Sequence, residues 1–215
     1  MSKSSIRISS LWTIALSVLV LTFSIFPQKN DDIQSRAKVF VSSTEARLQH
    51  NFKSHERYFL LKDLAPAAFA AGDLKKAEKY ARELQTVGDT IKNESKFDTR
   101  IPSYANHVSN IILGLIALNE DKVIEAKEHL LAAAQISGGP DPLLTTFGPN
   151  MLLAKKLIEK GERETVIQYF DLCAKFWERE NGRLEKWKNT VNQGGMPDFG
   201  ANLGYAVDTW RFRQI

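Results

Sequence analysis

The chain has one cysteine in 215 residues, Cys173. That excludes a disulfide framework and a cysteine-rich zinc site. Cys173 lies in Tyr169-Phe170-Asp171-Leu172-Cys173-Ala174-Lys175-Phe176-Trp177. No base or cationic setting stands nearby in sequence, so it reads as a small buried apolar residue and not as a nucleophile. Charge of one sign is equally scarce. The net charge is +4, and Lys3 and Arg7 sit at the extreme N-terminus, leaving 27 basic against 25 acidic residues. Lys75-Lys76 and Lys155-Lys156 are isolated pairs at helical positions, which suits a solvated face, and no nucleic-acid surface is expected.

Catalytic signatures are also lacking. The four histidines are His50, His55, His107 and His129, and none forms the His-Glu-x-x-His pattern of a zinc hydrolase helix. His107 and His129 can approach across a helical hairpin, but two imidazoles without carboxylate or thiolate support do not make a metal site. Gly138-Gly139-Pro140 lacks the Lys and Ser/Thr of a phosphate loop, and no Gly-x-Ser-x-Gly elbow occurs. Carboxylates are scattered along polar helix faces. No catalytic residue, cofactor or metal is expected. Apolar residues make up 43% of the chain, enough for a packed core.

Leu11 to Phe26 is an uncharged apolar run, preceded by Lys3 and Arg7 and closed by Pro27. It reads as a signal peptide or a signal anchor. The leading positive charges place the N-terminus in the cytoplasm and everything after Pro27 outside. Sixteen helical residues span about 24 Å, short of the roughly 30 Å hydrocarbon core, which favours a signal peptide. No Ala-x-Ala cleavage site follows, which favours an anchor, and no cysteine near its end offers a lipoprotein anchor. Both readings stay open, with secretion after cleavage as the alternative to a single-pass membrane protein.

Residues 31 to 53 carry Ile33, Ala37, Phe40, Val41, Ala46 and Leu48 at three- and four-residue steps, a loose helical pattern. It predicts a stalk helix or an extra helix packed on the downstream helices. Residues 27–55 are assigned to it, and 1–26 to the signal segment.

Self-similarity appears between Tyr58 and Trp177. The clearest copy runs from His107 to Pro140: Leu113-Gly114 and Ala117 on a first helix, a turn at Asn119-Glu120-Asp121, then Ala126, Leu130 and Ala133 on a second. A preceding copy has Leu64-Ala65 and Ala68, the turn Gly72-Asp73, and Ala77, Ala81 and Leu84. A following copy has Leu153-Ala154 and Leu157, the turn Gly161-Glu162, and Val166, Phe170 and Cys173. Small residues at these places let antiparallel helices approach closely. Gly72 closes one helix and Asp73 caps the next. Pro149 is expected to open the first helix of the last copy. In Phe147-Gly148-Pro149-Asn150-Met151 the plain reading is a tight turn, and the functional one puts Asn150 at a binding edge.

This arrangement resembles the tetratricopeptide repeat family, over a little more than half the chain. Leu61, Asn110 and Asn150 stand where that family often has Trp. The spacing is irregular: 49 residues separate Ala77 from Ala126, and 40 separate Ala126 from Val166. The excess is expected in two loops, Gly88 to Ser103 and Ile136 to Gly148. The resemblance implies an all-α fold of about three helical hairpins over residues 56–180, arranged as a superhelix or a compact bundle. Residues 181–215 supply a C-terminal helix over Arg183 to Val191 and an aromatic tail with Phe199, Tyr205, Trp210 and Phe212. The tail is expected to cap the terminal repeat, with a docking tail as the alternative.

The resemblance also implies a partner-binding concave face made by the first helices: Phe59, Lys62 and Phe69, then Val108, Ile111, Leu115 and Leu118, then Met151, Lys155 and Ile158. The middle set is wholly apolar, and Asn110 to Leu118 has almost no polar face, the mark of a helix buried all round. The groove therefore takes an apolar partner helix or is filled by the chain itself, through the helix before the repeats or through the tail. The function implied is a membrane-associated, extracytoplasmic protein–protein scaffold held by residues 11–26. Alternatives are a secreted or periplasmic binding module for apolar peptides and, behind it, an α-helical hydrolase.

Overall fold

The computed structural model describes residues 28–50, 52–94, 100–136 and 139–204. Among these the chain is all-helical, with no strand. The candidate membrane segment Leu11–Phe26 lies outside the described residues, as do Tyr205, Trp210 and Phe212.

Helix α1 (Gln28–Leu48) packs antiparallel on α2 (Ser54–Ala70), burying Ala37, Val41 and Thr44. Gln34 Nε2 donates to the Ala71 carbonyl at 3.1 Å, tying one end of α1 to the far end of α2. This is the extra-helix arrangement. Ala46, part of the apolar pattern in sequence, is exposed.

Three antiparallel hairpins follow: α2 with α3 (Leu74–Glu94), α4 (Arg100–Asn119) with α5 (Val123–Ala133), and α7 (Leu152–Glu159) with α8 (Arg163–Cys173). Their joints share one backbone signature. Asp73 N–H bonds to the Ala68 carbonyl at 3.0 Å, Lys122 N–H to Ala117 at 2.9 Å, and Glu162 N–H to Leu157 at 2.9 Å. Each bond spans five residues and satisfies a carbonyl that the ending helix would leave orphaned. The closure needs a left-handed residue just before the donor. Gly72 (φ 79°) and Gly161 (φ 90°) fill that place, and the middle joint uses Asp121 at φ 56°, a conformation Asp tolerates. Asp73 then caps α3, its Oδ1 accepting from Lys76 N–H at 3.0 Å.

The first helices α2, α4 and α7 lie side by side, and α3, α5 and α8 back them. The core runs continuously between the layers through Leu61, Leu64, Leu84, Ile112, Leu130, Leu153, Leu157 and Phe170. Helix α4 is long and apolar enough to cross a membrane, but 89% of its apolar stretch is buried inside the fold. It is the central core helix, as its lack of a polar face foretells.

Two expectations need correction. The excess residues between the first two copies do not form a loop from Gly88 to Ser103. Gly88 lies inside α3 and Pro102 in the first turn of α4. The insertion is absorbed as extra helical turns, because Gly88 faces Ala105 and Pro102 closely enough for the helices to keep packing. The last repeat does not open at Pro149. Helix α7 begins at Leu152 after the N-cap Met151, and Asn150, one residue further out, accepts the Leu152 N–H on its Oδ1 at 2.8 Å, satisfying the first helical donor. In the second insertion a short helix α6 (Pro142–Thr146) forms, capped by Asp141.

Helix α9 (Arg183–Asn192) closes the array against α8. Trp187 stacks 5.9 Å from Phe170, 5.7 Å from Trp177 and 5.0 Å from Phe199, and its Nε1 donates to the Asp198 carbonyl at 3.0 Å. The chain then returns through a 3-10 turn, Gly200–Leu203.

Candidate docking surface

The first helices place the expected concave-face residues side by side with unequal exposure. On α2, Phe59, Lys62 and Phe69 share a face with Pro66, at steps of three and four residues. Phe59 is 55% exposed, while Pro66 is buried and Phe69 partly so. Lys62 forms an ion pair with Asp63 at 3.0 Å and lies 5.9 Å above the Phe59 ring. On α4, Val108, Ile111 and Leu115 are buried and Leu118 partly so. Met151, just before α7, and Ile158 on it are buried, and Lys155 pairs with Glu159. The face is thus open at Phe59 and closed along its floor.

Behind that floor runs a polar ladder that the sequence did not announce. Asn106 Nδ2 donates to the carbonyls of Ala132 (2.8 Å) and Gln135 (3.2 Å). His107 Nδ1 lies 3.0 Å from the Ala133 carbonyl, and its Nε2 accepts the Asn150 N–H at 3.0 Å. These bonds fix the proton on Nδ1 and leave Nε2 as acceptor. Two α4 side chains therefore satisfy the last carbonyls of α5, and one of them also holds the entry to α7. Burial pushes the His107 pKa down to about 4, although the Ala133 bond acts the other way. His129 Nδ1 lies 2.9 Å from Asn110 Oδ1, and Asn110 Nδ2 donates to Asn106 Oδ1 at 2.8 Å. Burial also lowers the His129 pKa, with Glu125 opposing.

His107 and His129 thus serve separate backbone and amide partners. Among the described residues no group of three or more His, Cys, Asp or Glu could hold a metal ion. Asn150 is no binding edge. It is 1% exposed, and its carbonyl accepts from Tyr169 Oη at 3.1 Å. Cys173 is buried beside Tyr169, and burial raises its pKa far above the range of a reactive thiol.

An open cleft of about 870 Å³ lies on the other side of the hairpins, lined by Arg82, Asp121, Lys122, Ile124, Glu125 and His129. Ile124 is 76% exposed there. His129 Nε2 stands 3.8 Å from the Glu125 carboxylate, too far for a hydrogen bond. With Nδ1 committed to Asn110, this histidine is a structural side chain. None of the cleft residues belongs to the expected concave face.

No family model, no curated protein and no solved structure matches this chain.

Proposed function

We propose that this chain is a membrane-associated, extracytoplasmic scaffold for protein–protein interaction, built on hairpins of tetratricopeptide type. The observation that carries the reading is the repetition of one joint. Three successive hairpins close with the same five-residue hydrogen bond, at Asp73, Lys122 and Glu162, and their first helices lie in one layer. Stacked units of this kind present an extended face. Phe59, 55% exposed, gives that face an exposed aromatic anchor of the kind that concentrates binding energy. The apolar run Leu11–Phe26, with Lys3 and Arg7 ahead of it, holds the chain in the membrane with its N-terminus in the cytoplasm.

The test is crosslinking and recovery from membranes, comparing the full chain with Phe59→Asp. The expected result is one reproducible partner, lost in the variant, with an intact N-terminus by mass spectrometry. Recovery of the same partner by both proteins, or a mature N-terminus near Pro27 on a soluble, solitary protein, would overturn the scaffold reading.

A further inference from the structure

The link between α8 and α9 holds Asn181-Gly182, the only asparagine–glycine pair in the sequence. The two residues form the centre of a tight turn. Asn181 has φ 53°, and Gly182 has φ 77° with ψ 6°. The Arg183 N–H returns to the Glu180 carbonyl at 3.1 Å. Two successive left-handed residues closed by that bond make a type I′ turn, the turn that asparagine–glycine favours most strongly.

This turn leaves an amide nitrogen and a carboxamide side by side at the surface. The N–H of the third turn residue takes no part in the closing bond. Here the Gly182 N–H makes no hydrogen bond among the described residues, and both Asn181 and Gly182 are exposed. The Asn181 carboxamide is held by one bond, from Nδ2 to the Arg179 carbonyl at 3.1 Å, where water competes for it. Nothing lies within 4 Å of the place a Gly182 Cβ would take. No side chain therefore obstructs the backbone nitrogen, and glycine leaves the turn free to rotate. Other exposed asparagines lack this freedom. Asn119 and Asn192 are each followed by a residue whose N–H is tied into a helix end, Glu120 to the Ile116 carbonyl and Gln193 to the Asn189 carbonyl, both at 3.1 Å.

We propose that Asn181 is a self-modification site, converting without an enzyme to an aspartyl or isoaspartyl residue, and that the isoaspartyl form loosens the start of α9. The Gly182 nitrogen gives up its proton to solvent base and attacks Asn181 Cγ. The N–Cγ bond forms, the Cγ–Nδ2 bond breaks, and Nδ2 leaves as ammonia with a proton from water. The product is a cyclic succinimide. Water then cleaves one of the two bonds from its nitrogen to a carbonyl carbon. Cleavage at Cγ gives an aspartyl residue. Cleavage at the main-chain carbonyl of Asn181 gives an isoaspartyl residue, whose main chain runs through the former side chain.

The two products act differently on what the turn anchors. Glu180 Oε2 accepts the Leu184 N–H at 3.0 Å, satisfying a first-turn donor of α9. Arg183 donates through Nε to the Glu180 carbonyl and through Nη2 to the Arg179 carbonyl, both at 2.8 Å, with its guanidinium 4.5 Å above the Trp177 ring. The aspartyl form loses the donor to Arg179 but sets a negative charge beside a helix N-terminus, where the dipole favours it. The isoaspartyl form lengthens the main chain between Glu180 and Arg183, so the closing bond and the Leu184 cap fall out of register. Leu184 and Trp187, both buried, follow on the same helix. The turn is thus a timer on the helix that closes the array, and it does not depend on the scaffold reading.

The test ages the full chain in mildly alkaline buffer at physiological temperature. Peptide mass spectrometry follows each asparagine, with fragmentation that tells aspartyl from isoaspartyl. An exposed turn opens at little cost, so conversion at Asn181 should run within about tenfold of that in a free peptide of residues 177–185. Asn119, Asn189 and Asn192 should keep their amides over the same period. An Asn181→Gln chain should lose the modification, since ring closure from glutamine is slow. The isoaspartyl fraction, separated by chromatography, should exchange the Leu184 amide faster than the fresh chain, and the aspartyl fraction should not. An Asn181 amide that persists while the free peptide converts overturns the site, as does conversion no faster than at the three helical asparagines. Unchanged Leu184 exchange in the isoaspartyl fraction overturns the timer. These deciding measurements use the unaltered chain, so they stand even if the glutamine variant does not fold.

Discussion

Replacing His107 by Leu should remove both a structural clamp and the dominant histidine pH response of the fold. The neutral imidazole donates to the Ala133 carbonyl and accepts from Asn150 N–H. Leucine fills much of the same space and leaves both backbone groups buried without a partner. Each such orphan costs about 1–3 kcal/mol, so with two of them the variant should lose about 2–6 kcal/mol near neutral pH. The pH response follows from the depressed pKa, about 4 in the folded chain against the ordinary 6.5. Below pH 6.5 the unfolded chain takes up a proton that the folded chain refuses. The contribution is therefore complete above pH 6.5 and declines as the pH falls towards 4, by roughly 3 kcal/mol in all. His129, also lowered, adds a smaller slope of the same sign. Glu45 and Glu159 are held below the ordinary carboxylate range of 4.5, so they act at the acid end and leave the upper window to the histidines. Urea unfolding followed by circular dichroism, at several pH values between neutrality and 4.5, measures both effects. The gap between wild type and His107→Leu should narrow as the pH falls. A variant within about 0.5 kcal/mol of wild type at neutral pH, or one that keeps the full pH slope, would refute the clamp.

Four further outcomes are expected. Gly148→Ala should cost about 2–5 kcal/mol, because a Cβ there meets the Trp177 ring at 2.2 Å and φ is 87°. Gly161→Ala, at φ 90° with open space around it, should cost only the conformational part, about 1–2 kcal/mol. Thermal melts of the pair separate packing from backbone strain. Gly114→Ala should destabilise by about 1 kcal/mol although helix propensity alone favours it by about that much, because its Cβ would lie 2.3 Å from Leu153 Cδ2. A rise in melting temperature would mean that α4 and α7 are not in close approach. Lys160→Ala, which breaks the 2.9 Å pair with Asp121 between neighbouring turns, should change stability by less than about 0.5 kcal/mol, since both groups are well exposed. A larger loss in chemical denaturation would contradict that.

Much of the fold is legible in the sequence because it rests on local chemistry. Gly72-Asp73 and Gly161 announce their turns through the left-handed place that closure requires. Ala126, Leu130 and Ala133 announce a packing face through their spacing, and all three are buried. The insertion between Ala77 and Ala126 reads as a loop because Gly88 and Pro102 are breakers in isolation. Here the glycine is a contact point, and the proline sits in a first turn, where a missing N–H is harmless. The ladder is not legible. Asn106, His107 and Asn110 are ordinary polar interruptions in a helix, and their partners lie 19 to 43 residues away. Nothing in a local window marks a side chain that will cap another helix. The expected concave face is readable as a set of positions, whereas the unequal exposure of those positions, from Phe59 at 55% to Ile111 at 0%, depends on packing between helices distant in sequence.

The same ladder bears on how the molecule comes apart. Repeat arrays commonly behave as beads whose neighbours can be trimmed away one at a time. Here His107, on the second hairpin, holds the backbone that starts the third, and Asn202, from beyond the third, holds that same backbone from the other side. Cutting the chain between Ala133 and Asn150 would strip a partner from an interior histidine as well as exposing a flank. The second and third hairpins are thus a single cooperative block, and minimal fragments should be cut before α4 and not within it.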